Sequence, residues 1–219
     1  MSPKPPTSAE ASAGRQATSP TSRGHLIAFE GLDQSGKQTQ AERLLAAFRS
    51  AGLGAEFLTF PEYTTAIGTE IGHALQGTRD YEPETLQLLY IANRFEFRSR
   101  ILQWLADGRM VVCDRYLASS IAYGEAHGVD ASWLTDIQRQ LPQPSLTVLL
   151  DIPPNASLTR KQAARDKFER DLPLLGRVRE SYLRQAGRDA GWIHMDGARD
   201  KDAVSADVIT AVQSRLGLL

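Results

Sequence analysis

From His25 onward, short apolar runs alternate with segments in which apolar residues recur every three or four positions. The runs at 25–30, 55–60, 109–114, 145–151 and 191–195 are five expected strands. They are nearly continuously apolar, as strands covered on both faces must be. Between them, helical spacing marks the stretch after residue 37, where Ala41, Leu44, Leu45 and Phe48 share one face and Gly52 ends the run. Further helices are expected at 67–77, 83–108, 117–127, 131–141, 174–186 and 203–216. Strands separated by helices imply βαβ units, hence an α/β protein built on a five-stranded parallel sheet with helices on both faces. In such sheets ligands sit beyond the carboxyl ends of the strands. Three expected strand ends carry polar groups there: Glu30, the Asp114–Arg115 pair and Asp151.

Composition narrows the picture. The 219 residues suit one α/β domain, expected at 25–219. Residues 1–24 are Ser, Thr, Pro and Ala with no larger aliphatic residue after Met1, which reads as a disordered tail. A transit peptide is the alternative: the segment is Ser-rich and carries Arg15 and Arg23, but Glu10 and the prolines weaken an amphipathic helix. A net charge of −1 gives no basic field for nucleic acid. No apolar run approaches the ~18 residues of a membrane span. The lone Cys113 excludes an internal disulfide and fits a reducing, cytoplasmic setting. His25, His73, His127 and His194 have no metal-ligand spacing, and Trp104, Trp133 and Trp192 read as packing residues.

The chemistry begins at "GLDQSGKQTQ". Gly31, Leu32, Asp33, Gln34, Ser35, Gly36 and Lys37 follow the pattern of a phosphate-binding loop, lying between a strand and a helix as that motif requires. Its glycines allow backbone N–H groups to curl round phosphate oxygens, and Lys37 supplies a point charge. The next position should carry the hydroxyl that holds Mg²⁺. Gln38 stands there, and the hydroxyl comes one residue later at Thr39. An amide oxygen can hold Mg²⁺ directly or through water, since Mg²⁺ keeps several waters. Asp114 sits where a carboxylate can orient the metal shell, and Arg115 where a guanidinium can hold a second phosphate-bearing group. No N-K-x-D base-reading motif and no transporter signature is present. Tyr90 and Arg94, four apart on one helix face, can stack on a flat base and offer donors to its edge.

Six stretches in order, "FEGLDQSGKQTQ", "FPEY", "ANRFE", "DRYLASSIAY", "LPQPSLTVLLDIPP" and "RDKFERD…RVRESY", resemble the thymidylate kinase family of nucleoside monophosphate kinases across about residues 25–215. The resemblance implies a P-loop kinase fold with a short mobile lid at about 155–171. It implies transfer of a phosphoryl group from ATP to dTMP with Mg²⁺, in dTTP biosynthesis, by a homodimer. It places Tyr90 and Arg94 on thymine, and Phe60, Arg115, Ser119, Ser120 and Tyr123 around the acceptor. It places Asp33 near the acceptor sugar and the metal. Relatives carry the catalytic arginine in the phosphate loop or in the lid. The loop here has Gln34, so Arg165 and Arg160 of the lid become the candidates, with Asp166, Phe168 and Glu169 expected toward the acceptor or the metal. Two departures stand out. Tyr63 occupies a region where many relatives have an acceptor-phosphate arginine, and Gly124 stands where many have a polar side chain. Two other readings remain at this stage. One is a deoxynucleoside kinase, for which Glu30 is the candidate base. The other is a nucleotide-binding regulatory module without turnover, for which Gln38 is the one supporting feature.

Overall fold

The structure, a computed structural model, describes residues 23–160 and 171–218. All but the last two residues of the expected tail fall outside these, as do Arg165, Asp166, Phe168 and Glu169. Among the described residues the strands are β1 (His25–Glu30), β2 (Ala55–Thr59), β3 (Met110–Asp114), β4 (Leu146–Asp151) and β5 (Trp192–Asp196). They form one parallel sheet in the order β2-β3-β1-β4-β5. The helices are α1 (Lys37–Ser50), α2 (Ala66–Gln76), α3 (Pro83–Ala106), α4 (Leu117–Ala126), α5 (Ala131–Ile137), α6 (Pro154–Arg160), α7 (Leu172–Ala186) and α8 (Lys201–Leu216).

Alternation within β1 explains the layering. Ile27 and Phe29 pack with Leu44, Phe48, Val204 and Val208 of α1 and α8. Leu26 and Ala28 point the other way, toward Ile91, Ile101 and Leu134 of α3 and α5. On that second side, α4 and α7 close together through Ala118, Ala122, Leu175, Val178 and Tyr182. Each strand face is therefore apolar for its own reason, and the continuous runs in the sequence follow. Cys113 is fully buried in β3, and burial pushes its thiol well above the usual range.

One helix end differs from expectation by more than two residues. The stretch 131–141 is helical only to Ile137: the helix closes at Gln138, whose side chain turns back to the Leu134 carbonyl, 3.0 Å. Residues 155–160 of the expected lid belong to helix α6, and 161–170 lie outside the described residues. Elsewhere caps set the ends. Thr65 accepts from the Gly68 N–H at 3.0 Å, and Asp171 from the Leu174 N–H at 2.9 Å. Helix α1 has no side-chain cap at Gly36, which leaves its first N–H groups facing the loop.

Candidate active site

β1 lies between β3 and β4, so the loop leaving Glu30 emerges at the centre of the sheet edge. Gly31 has φ 138, and a Cβ there would lie 2.4 Å from the Leu150 carbonyl oxygen. Gly36 has φ 96 and passes the chain into α1. Only glycine takes both conformations without strain, so the loop geometry is written into these two residues. Lys37 is buried and donates to the Leu32 carbonyl across the loop at 2.7 Å. Burial, then repulsion from Arg115, pushes its ammonium down to about 8, against the pull of Asp33, Asp114 and Glu30. The charge is held at a cost that a bound phosphate would relieve.

Arg115 follows β3 with φ 63, a left-handed conformation that costs a non-glycine residue on the order of 1–3 kcal/mol. Its contacts hold it there. Its backbone N–H donates to the Phe29 carbonyl at 2.9 Å. Its guanidinium donates to Asp33 Oδ1 at 2.5 Å and to Ser119 Oγ at 3.2 Å, and stands 5.3 Å over the Tyr123 ring. Asp33 also accepts from the Tyr123 hydroxyl at 2.9 Å. Burial opposes its ionisation, yet Arg115, Lys37 and these hydrogen bonds hold the Asp33 carboxyl well below the usual carboxylate range. Asp33 thus ties the phosphate loop to Arg115 at the end of β3 and to Tyr123 of α4.

Beneath this cluster lies Glu30, which is fully buried. It accepts from the backbone N–H of Tyr116 at 2.8 Å, from Ser119 Oγ at 2.6 Å and from the Tyr182 hydroxyl at 3.1 Å. With both oxygens engaged, Glu30 organises the turn into α4 and is withdrawn from any base role toward a sugar hydroxyl. Its burial was not legible in the chain, because its partners come from positions 116, 119 and 182. Tyr182, which ends the "RVRESY" stretch, is a further residue to which the sequence alone assigned no role.

In front of Arg115 is a cleft of about 670 Å³, part of it open to solvent. It brings together Asp33, Phe60, Tyr63, Tyr90, Arg94, Arg115, Ser119, Ser120 and Tyr123, all expected around an acceptor. Pro61, Leu75, Leu86, Gln87 and His127 complete the lining and were not anticipated. Arg94 is buried, lies 5.8 Å over the Phe60 ring and donates to Ser120 Oγ at 2.7 Å. Asn93, also fully buried, fixes the loop that carries Phe60. Its Oδ1 accepts from the Glu62 N–H at 2.8 Å, and its Nδ2 donates to Thr65 Oγ1 at 3.0 Å. Asp151, the third polar strand end, is not in the cleft. It takes a bidentate contact from Arg179 at 2.6 and 2.8 Å.

For a metal, the described residues contain no cluster of three or more His, Cys, Asp or Glu able to ligate one. They do contain two orphaned polar atoms beside the loop. Asp114 Oδ1 and Ser35 Oγ are buried with no hydrogen-bond partner among the described residues. Such atoms are costly unless a ligand or its water completes them. Gln38 and Thr39 are exposed at the start of α1, and the Gln38 amide donates to Glu42 at 2.9 Å.

A phosphate loop at the centre of a parallel sheet, facing across a strand-end arginine to a second cleft with an aromatic wall, defines a phosphate-loop nucleoside monophosphate kinase. A family model described as thymidylate kinase matches residues 29–208. The chain is 32% identical over 196 residues to the thymidylate kinase of Schizosaccharomyces pombe, covering 88% of this chain and 93% of that one. It is 34% identical over 204 residues to a probable thymidylate kinase of Pyrococcus abyssi, covering 89% and 98%. Among solved structures, the thymidylate kinase of Candida albicans superposes with a TM-score of 0.73 at 27% identity, covering 88% of this chain and 92% of that one. The chain belongs to the thymidylate kinase family.

Proposed function

We propose that this protein transfers the γ-phosphoryl group of ATP to dTMP, giving dTDP, with Mg²⁺ and as a cytoplasmic homodimer. The observation that carries the reading is the junction of two sites through one contact. Asp33 of the phosphate loop holds Arg115, which faces the cleft lined by Tyr90 and Arg94. Phosphoryl transfer needs little covalent chemistry from a protein; positioning and charge do the work. Loop N–H groups and Lys37 cradle the donor phosphates. Arg115 and Arg94 orient the acceptor phosphate and base, while Tyr90 stacks on the ring and Phe60, Tyr63 and Ser120 close the cleft. Ser119 and Tyr123 set Arg115 through their own contacts.

Asp114 and Ser35, with their unpaired oxygens, suit a Mg²⁺ shell held largely through water, and Gln38 and Thr39 stand exposed beside them. Asp33 is committed to Arg115 and Tyr123, so its part in the shell is indirect. Bound Mg²⁺ supplies neutralisation of phosphate charge. Leu88, Phe95 and Leu102 lie seven apart on α3 and are exposed, a stripe suited to a second copy of this chain. No helix among the described residues is long and apolar enough to cross a membrane.

Glu30 disfavours the deoxynucleoside kinase alternative, since a base must reach solvent-side substrate. The test is ADP production from Mg-ATP with dTMP, dUMP, dCMP, AMP, GMP and thymidine in parallel. Turnover with dTMP, lost on chelating the metal, is expected. Phosphorylation of thymidine but not of dTMP would refute the reading, as would binding of ATP with no turnover on any acceptor.

The catalytic arginine is assigned to the segment 155–171, because Gln34 leaves the phosphate loop without one. Arg165→Ala is expected to lower kcat about 100-fold, with the KM for ATP changed only a few-fold, since an interaction made only in the transition state is lost. If Arg160→Ala gives that loss and Arg165→Ala does not, the role passes to Arg160. Asp166 and Glu169 are assigned to acceptor and metal within the same segment.

A further inference from the structure

One wall of the acceptor cleft carries two buried polar atoms with no hydrogen-bond partner among the described residues. Gln87 is only 3% exposed, lines the cleft, and its Oε1 has no hydrogen-bond partner among the described residues. Arg94 is 2% exposed, and its Nε–H is likewise without a partner, although its Nη1 donates to the Tyr90 carbonyl at 3.2 Å and to Ser120. Gln87, Tyr90 and Arg94 stand three and four apart along α3, so they share one helix face. The bond from Arg94 to Tyr90 O folds the guanidinium back by one turn of α3. Each orphan costs folding free energy in the empty protein, and both belong to residues that line the cleft, one an acceptor and one a donor.

The stem of Gln87 is fixed from the opposite side. A Cβ on Gly124 of α4 would lie 3.2 Å from Gln87 Cγ and 2.4 Å from Leu134 Cδ1. A side chain at 124 would therefore displace Gln87 or clash with Leu134. With no polar group available from Gly124, the amide of Gln87 is the polar group offered at this point of the wall.

We propose that Gln87 is a specificity-determining residue that accepts a hydrogen bond from the ring N–H of the acceptor base. The inference rests on the dTMP kinase reading and deepens it. Guanidinium has donors only, so Arg94 demands a base carbonyl and rejects an exocyclic amine. Beside that carbonyl, Gln87 Oε1 demands N–H. An adjacent carbonyl and N–H is the imide edge of thymine and uracil. Cytosine presents an amine and a bare nitrogen at the same places, the reverse of what the wall demands. Gln87 thus separates the imide pyrimidines from cytosine and takes no part in telling thymine from uracil.

The test is Gln87→Met, which keeps the volume and removes the acceptor, assayed by calorimetric binding of dTMP, dUMP and dCMP and by steady-state kinetics. The expected result is about a tenfold loss of affinity for dTMP and dUMP alike, with the weaker binding of dCMP unchanged or improved. The loss should appear in the KM for dTMP more than in kcat. The melting temperature of the ligand-free variant should hold or rise, because a buried orphan has been removed. Unchanged dTMP affinity overturns the inference, as does an equal loss for all three nucleotides accompanied by a lower melting temperature, which is the signature of a packing role. A wild-type protein that binds another monophosphate but not dTMP overturns the functional reading itself.

Discussion

Lys37→Met lowers kcat by about three orders of magnitude, while the protein stays folded. The size follows from what is removed: the buried ammonium proposed to meet the donor phosphates, in a site where charge interactions are poorly screened. The same residue gives a pH signature. Its folded value of about 8 lies below the ordinary lysine value of 10.5, because burial disfavours the charge. Between those two values the unfolded chain holds more protons than the folded one, so this group makes stability rise with pH across that window. Below about pH 8 both states are protonated, and the unfavourable charged burial is fully present. Lys37→Met should therefore abolish this contribution to the rise, read as denaturant midpoints between pH 7.5 and 10.5. ATP should reverse the effect by favouring the ammonium, so nucleotide binding above pH 8 takes up protons. Calorimetry in buffers of different ionisation enthalpy measures that uptake. A Lys37→Met enzyme with near-normal turnover would remove Lys37 from the mechanism.

Arg115→Met lowers kcat/KM for dTMP by about 1,000-fold, and here stability falls as well. Arg115 is the only cation hydrogen-bonded to Asp33 among the described residues, and it also contacts Ser119 and Tyr123. Removing it leaves a partly buried carboxylate without its counter-ion, at a cost of about 3 kcal/mol. The Asp33 carboxyl then titrates upward, since burial is no longer opposed by the guanidinium. Wild-type Asp33, held below its unfolded value, contributes stability that is lost as pH falls, and the variant should show a smaller loss over that acid range because less of the downward shift remains. Asp33→Asn in the Arg115→Met background should recover part of the melting temperature and none of the activity. That split separates the clamp on substrate from the ion pair that supports it. Full recovery of activity in the double variant would show that Arg115 serves only to neutralise Asp33.

Much of this protein was legible along the chain. The apolar runs located all five strands, most plainly β1, β3 and β4, which lie in the middle of the sheet, are covered on both sides and so are apolar almost throughout. Gly31 and Gly36 announced the phosphate loop, because its backbone passes through conformations that only glycine takes freely. The spacing of Tyr90 and Arg94 placed both on one face of α3, a consequence of helical period alone. These are local properties, set by residues a few positions apart.

What only the tertiary structure decided involves partners far apart in sequence. Glu30 looked like a free strand-end carboxylate until residues 116, 119 and 182 closed over it. Asp33 became the counter-ion of Arg115 across 82 positions. Gln87 became an unpaired acceptor in a cleft wall only because Gly124, from another helix, leaves it room. Periodicity and backbone preference are written into the chain one turn at a time, so the sequence by itself determined the sheet, the helices and the loop. Burial and the pairing of charges depend on which surfaces meet, and that was decided only when α3, α4 and α7 packed against one another and the sheet.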